Sequence, residues 1–215
     1  MVNPNDSNLL TKEDFAKQLN ISDDLFGRFS AYQDLLIKWQ QRINLVSRST
    51  LPDLWRRHFL DSAQLFPLIP KPANTLVDLG SGAGFPGLVL ALLISEAGGP
   101  DVHLVEADSR KAAFLAEANR ILEAGAIVHS RRIESITDLK GDVITARALS
   151  PLDRLLNQAE RFMGPETTCL FLKGENAAHE LTIARKHWTM KANEITSITH
   201  DLARIFKLTE VLRVD

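Results

Sequence analysis

Val77-Asp78-Leu79-Gly80-Ser81-Gly82-Ala83-Gly84-Phe85-Pro86-Gly87 is the stretch that decides the fold. A short β-forming run leads into it from Thr75, and the apolar, helix-forming run at 88–94 follows it. The segment therefore joins a strand to a helix. Glycines stand at 80, 82, 84 and 87. Glycine weakens regular structure, so this density is kept where the backbone turns sharply or lies directly against a ligand. In an open parallel sheet, such a loop stands at the carboxyl ends of the strands, the edge where ligands bind.

Outward from the loop, strands alternate with helices. Strands are predicted at 75–79, 102–106, 127–130, 143–147 and 168–173. Helices are predicted from Pro86, at 109–124 with Gly125 just beyond, from Ser150-Pro151-Leu152-Asp153 to Gly164, and after residue 173 to about Trp188. Proline at helix starts and glycine past helix ends fit this reading. Two final β-like runs, 194–199 and 203–214, are close enough to pair antiparallel. The expected fold is α/β: a mostly parallel twisted sheet, helices on both faces, and a C-terminal antiparallel hairpin.

Upstream, the chain reads as helical. Thr11-Lys12-Glu13-Asp14 and Ser22-Asp23-Asp24 are helix starts. Leu25, Phe29, Tyr32, Leu36, Trp39 and Ile43 recur at threes and fours, the period of an amphipathic helix. A further helix at 51–65 is ended by Pro67, Pro70 and Pro72. Residues 1–10 read as a loose start. The chain thus divides into an N-terminal helical extension at 1–72, packing on the core, and a Rossmann-like domain at 73–215.

Two cofactor readings compete at the loop. Residues 82–87 match G-x-G-x-x-G, with Glu106 about 20 residues further on, as in a dinucleotide site. Residues 78–84 read D-x-G-x-G-x-G, which resembles motif I of class I methyltransferases and implies S-adenosylmethionine. Three features favour the second. Asp78 suits the ammonium of a methionine moiety and opposes phosphates. Pro86 removes a backbone N–H where a pyrophosphate needs donors. The sheet ends in a hairpin-like pair. On this reading Gly82 and Gly84 keep the backbone open to the cofactor. Glu106 accepts from ribose hydroxyls, or else is a solvated strand-end acid.

Asn44-Leu45-Val46, Arg57-His58-Phe59-Leu60-Asp61-Ser62, the glycine loop through Gly-Phe-Pro-Gly, Arg147-Ala148 and Leu172-Lys173-Gly174 together resemble the RsmG (GidB) family. That family consists of bacterial 16S rRNA guanine-N7 methyltransferases. The resemblance runs from about Leu35 to Gly174. It departs near the C terminus, where Asp201-Leu202-Ala203-Arg204 replaces the family's Glu-Arg. It implies a class I S-adenosylmethionine-dependent methyltransferase acting on N7 of a guanine, nucleotide 527 of the small-subunit rRNA. It also implies cofactor contacts at Gly80, Phe85, Ile133, Glu134 and Arg147. Read alone, Glu134 is a surface acid, and Arg147 either faces the cleft or snorkels from a strand end.

The composition bounds the alternatives. The chain has 215 residues, 45% hydrophobic and 24% charged, enough for one core without disulfide or metal support. Cys169, the single cysteine, lies in an apolar run and reads as a buried thiol. No Cys/His pattern points to a metal. The first eight residues carry no apolar signal core, and the apolar run at 88–94 is too short to span a bilayer. A cytoplasmic location and no membrane partner are expected.

The formal net charge of −2 provides no global field for nucleic acid, so any RNA surface must be local. Arg28, Lys38, Arg42, Arg48, Arg56 and Arg57 stand against Asp34 and Asp53 between residues 28 and 60. Arg48, Arg56, Arg57 and, from the end of the fifth strand, Lys173 are candidate contacts to 16S rRNA or the small ribosomal subunit. The alternative is a solvated, ion-paired helix face, for example Arg57 with Asp61. His58 reads as a packed, hydrogen-bonded ring. No general base is expected, because guanine N7 offers a free lone pair. Two other functions stay open: a class I methyltransferase for a small molecule or protein, and a non-catalytic nucleotide-sensing RNA-binding protein.

Overall fold

The computed structural model describes residues 9–214. The polar opening at residues 1–8, most of the expected loose start, lies outside the described residues. Five parallel strands form the body of one sheet: β1 (Thr75–Leu79), β2 (Asp101–Glu106), β3 (Ile127–Ser130), β4 (Val143–Arg147) and β5 (Thr168–Lys173). Their order is β3-β2-β1-β4-β5, continued by β7 (Arg204–Arg213) and β6 (Trp188–Thr196). β7 pairs antiparallel with both β5 and β6.

Strand β6 begins six residues before the expected 194, and the preceding helix, α7 (Ala177–Ala184), ends earlier than expected. Trp188 explains the difference. It is fully buried and starts an alternation of inward and outward residues that belongs to a strand.

The sheet carries different layers on its two faces. On one lie α1 (Lys12–Leu19), α2 (Asp23–Gln40), α4 (Gly87–Ala97) and α5 (Ser109–Ile121). Thr11 caps α1 in a reciprocal capping box with Asp14, and the Ser22 side chain accepts from the Leu25 amide to start α2. Helix α4 is buried at every position from Gly87 to Ile94. It has no polar face because the sheet lies on one side and the N-terminal helices on the other. Phe15, Phe29, Tyr32 and Phe59 of the N-terminal segment share one core cluster with Leu88, Leu92, Leu104 and Phe114. On the other face, α6 (Leu152–Ala159) and α7 pack with Leu79, Ile144, Phe171 and Phe206.

The expected helix at 51–65 takes three forms. A 3-10 turn runs over Arg48–Asp53, a π-helical turn over Trp55–Leu60, and α3 over Asp61–Ala63. Pro52 lies inside the first and lacks an amide hydrogen to give. In the π turn the Asp61 amide bonds back to the Arg56 carbonyl. Trp55 and Phe59 stack at 4.3 Å and turn inward, and His58 and Asp61 are carried toward the sheet edge.

Candidate active site

The sheet reverses its order between β1 and β4, which are neighbours although two strands separate them in sequence. Such a switch point opens a crevice at the carboxyl ends of the strands. The glycine loop leaves β1 there, and Arg147 ends β4.

Backbone bonds shape the loop. The Ser81 amide donates to the Val105 carbonyl at 3.0 Å and the Gly84 amide to the Ser81 carbonyl at 2.7 Å. Gly84 has φ +90°, and a Cβ there would meet the Tyr32 hydroxyl and stand 2.8 Å from Leu88 Cβ. Gly82 has φ +57°, and a Cβ there would meet nothing nearer than the Gly80 carbonyl at 3.7 Å. The two glycines thus differ: Gly84 is needed for packing, whereas Gly82 leaves an open face. Tyr32 of α2 donates its hydroxyl to the Ala83 carbonyl and so ties the N-terminal helices to the loop.

Glu106, almost fully buried, is the loop's clamp. One carboxylate oxygen accepts from the Gly82 amide at 2.8 Å, the other from the Asp108 amide at 2.7 Å. Each oxygen retains acceptor capacity for a further donor. Asp78 lies beneath the loop, fully buried, with Oδ1 accepting from the Thr145 hydroxyl at 2.7 Å. Burial raises its pKa to about 6, against the lowering effect of its hydrogen bonds and Arg147. Its carboxylate supports the loop from below.

Arg147 is the second centre. Its guanidinium lies 5.1 Å from the Phe85 ring centroid. Nη1 donates to the Arg57 carbonyl at 2.9 Å and reaches Asp61 Oδ2 at 3.4 Å; Nη2 donates to His58 Nδ1 at 2.7 Å. A guanidinium only donates, so Nδ1 is the acceptor and the imidazole proton sits on Nε2. Nε2 then donates to the Thr50 hydroxyl at 2.8 Å, and Thr50 donates to the Ser47 carbonyl at 2.8 Å. Burial, with Arg147 and Arg57 nearby, pushes the His58 pKa down to about 3, so the ring is neutral at physiological pH. Asp61 Oδ1 accepts from Gln64 at 2.9 Å and Thr199 at 2.7 Å, which brings the turn after β6 into the same network. Phe85 stacks on Tyr32 below.

Arg147, His58 and Asp61 line a cavity of about 750 Å³, bounded also by Lys173, Glu175 and Thr199. The glycine loop is not part of its wall. Leu149 lies over Gly80, with its Cδ1 2.6 Å from where a Gly80 Cβ would stand. Ala148, between Arg147 and Leu149, takes a left-handed conformation (φ 51°), uncommon for a residue with a side chain.

A family model described as rRNA small subunit methyltransferase G matches residues 26–207. The chain belongs to that family. It is 52% identical over 201 residues to the ribosomal RNA small subunit methyltransferase G of Paramagnetospirillum magneticum, covering 94% of this chain and 96% of that protein. It is 48% identical over 204 residues to the protein of the same name from Rhodospirillum rubrum, covering 95% and 100%. Among solved structures, a putative O-methyltransferase from Klebsiella pneumoniae shares the fold at TM-score 0.61 and 13% identity, over 93% of this chain and 96% of that one. A variant of MtNAS in complex with S-adenosylmethionine shares it at TM-score 0.56 and 15% identity, over 95% and 85%. The fold is the class I Rossmann-like methyltransferase fold, mostly parallel with an antiparallel C-terminal hairpin.

The remaining expected residues of this family member fall in distinct places. Ile133 and Glu134 stand in a short 3-10 turn after β3. The Ile133 side chain is buried in the core cluster with Val105 and Ile136, and Glu134 is exposed, its carbonyl accepting from Arg161. Lys173 lines the cavity beside Arg147. It is buried, donates to the Ser150 carbonyl at 2.7 Å, and pairs with Glu180 at 2.8 Å. Glu180 pairs its charge and so braces the end of β5 against α7.

Arg48 and Arg57 are exposed, and Arg56 lies 3.9 Å from Asp53. The Arg57–Asp61 pair of the alternative reading is absent from the ion pairs of the described residues; Asp61 pairs with Arg147 instead. Asp61, Thr199 and Tyr32 are site residues that the sequence did not single out. The Arg-His-x-x-Asp-Ser spacing was the available signal, but its partner is 86 residues away.

Cys169 is buried, and burial pushes its thiol pKa up. Among the described residues, no cluster of three or more His, Cys, Asp or Glu is placed to hold a metal, and no helix is long and apolar enough to cross a membrane.

Proposed function

We propose that this rRNA methyltransferase methylates N7 of a guanine in 16S rRNA, nucleotide 527, in the cytoplasm, on the small ribosomal subunit or its RNA. S-adenosylmethionine is the methyl donor of this family and fold. The chain's residues fit that group. The open face of Gly82, beside the Glu106 carboxylate, suits a ribose, and the left-handed glycines let backbone amides approach it. Gly80, Gly82, Gly84, Phe85, Glu106, Ile133, Glu134 and Arg147 would hold the cofactor, with Asp78 supporting the loop from below. When bound, it supplies an electrophilic methyl group, and the protein supplies position and electrostatics.

The observation that carries the N7 reading is the state of His58. The imidazole nearest Arg147 is neutral and its acceptor nitrogen is occupied by Arg147, so it cannot take a proton from a substrate. A hydroxyl or amino acceptor calls for proton removal; guanine N7 calls for none, because its lone pair is free. Methylation leaves the guanine ring cationic. Glu175, the cavity carboxylate that takes part in no ion pair among the described residues, stabilises that charge as it develops. Arg48 and Arg57, with exposed guanidinium groups, are the RNA contacts of this proposal.

The test is a 16S transcript carrying 7-deazaguanine, which lacks N7 but keeps every other edge. It should accept no methyl group from labelled S-adenosylmethionine, whereas the normal transcript or subunit should. Equal labelling of both would overturn the N7 assignment. Labelling of neither, with intact cofactor binding, would favour a different substrate.

A further inference from the structure

We propose that a second cavity, between the loop at residues 40–48 and helix α5, binds the backbone phosphate of an RNA nucleotide neighbouring the methylated base. The inference rests on the reading that rRNA is the substrate. The cavity has a volume of about 550 Å³ and is walled by the loop and Lys111. Its charged residues are Arg42, Arg48 and Lys111; no carboxylate lines it. Among the described residues, none of these three forms an ion pair with an acidic side chain. The nearest acid in sequence to Lys111 is Asp108, and its carboxylate is taken by the Arg110 guanidinium and by the first amides of α5. Three cations converge on one polar recess without internal neutralisation. An anion with several acceptor oxygens is the ligand that such a set accommodates.

The loop is also rigid before any ligand arrives. The Gln40 side chain accepts from the Leu45 and Val46 amides at 2.9 and 3.0 Å and donates to the Val46 carbonyl at 2.8 Å. One side chain thus closes the turn that carries Arg42 and Arg48, and the ordering cost of binding is lowered accordingly. Leu45, Val46 and Ser47 belong to the walls of both this cavity and the larger one at Arg147. A nucleic acid strand with its target base in the larger cavity would pass its backbone over these three residues into the smaller one. Lys111 comes from the sheet domain and Arg42 and Arg48 from the N-terminal segment, so the phosphate would bridge the two parts.

The test compares the full chain with Arg42→Gln, Arg48→Gln, Lys111→Gln and the triple variant, using 16S rRNA as the probe across a salt series. Arg120→Gln, about 14 Å along α5 from Lys111, is the control. Losing the one phosphate neutralised there should lower the slope of log affinity against log salt by about 0.7 in the triple variant, with each single variant losing part of that. The triple variant's RNA affinity at low salt should fall about tenfold or more, with S-adenosylmethionine affinity unchanged. Arg120→Gln should match the parent. An unchanged slope in the triple variant overturns the proposal. Loss of cofactor affinity in place of RNA affinity also overturns it, because the cavity would then serve the methionine carboxylate. If the parent binds 16S rRNA without methylating it, the functional reading fails while the slope comparison still decides this site. If the parent does not bind 16S rRNA, both fail.

Discussion

Replacing Asp61 with asparagine removes one charge and changes almost no volume. The consequence follows from donor counting. Arg147 donates to Oδ2, and Gln64 and Thr199 donate to Oδ1. A carboxylate accepts on both sides; an amide accepts on one and presents N–H groups on the other. Either orientation sets a donor against a donor, at Arg147 or at Gln64. Breaking one side of a buried ion pair costs about 3–5 kcal/mol. Here the two side chains keep 17% and 16% exposure, so solvent screening brings the expectation to about 3 kcal/mol. For a chain of this length, that is a fall of about 6–12 °C in Tm. Urea unfolding and calorimetry of Asp61→Asn measure it, and a cycle with Arg147→Gln isolates the coupling. Methyl transfer should fall as well, because Arg147 loses a fixed position. An unchanged unfolding midpoint with unchanged activity would refute the view that this pair fastens the N-terminal segment to the sheet.

Other expectations concern pH and the loop. The folded pKa of Asp78, about 6, lies above its unfolded value of 3.8, so its stability contribution is complete below pH 3.8 and lost as pH rises through 6. From pH 4 to pH 8 the stability of Asp78→Asn relative to the parent should therefore rise by about 3 kcal/mol, measured by urea unfolding. His58 has the opposite sign: its folded pKa of about 3 lies below 6.5, so its contribution is complete above pH 6.5 and lost as pH falls toward 3. His58→Gln should remove a component of about 1.4 kcal/mol per pH unit from the acid limb of the stability profile. Glu106→Ala should weaken S-adenosylmethionine by about 1–3 kcal/mol in calorimetry and also lower Tm, because the Gly82 and Asp108 amides lose their acceptor.

Sequence alone placed strands β1, β3, β4 and β5 at their observed residues: β1, β4 and β5 are apolar runs almost wholly buried, and the partly exposed edge strand β3 follows the Gly125 turn. The loop and Glu106 were legible for a related reason: both stand at the carboxyl end of a strand, so the sheet brings them together without any long-range knowledge. The Arg147 network was not legible in the same way. His58 and Asp61 reach Arg147 only after the N-terminal segment docks on the β4 end, 89 and 86 residues away in sequence. Lys173 was placed at the cavity edge from its strand end, but its pairing with Glu180 was not legible, because Glu180 lies one turn into a helix that begins after it. The segment at 51–65 has helical periodicity, but Pro52 and the π turn that aims Asp61 inward leave no pattern in the apolar residues.

Mapping the methyl group tests the central claim most directly. Labelled S-adenosylmethionine is incubated with the chain and small ribosomal subunits lacking the modification, and the RNA is then cleaved chemically at 7-methylguanine. The account predicts label in 16S rRNA and a single new cleavage, at guanine 527, abolished by Arg147→Ala. Label without cleavage, or cleavage at another guanine, would contradict it.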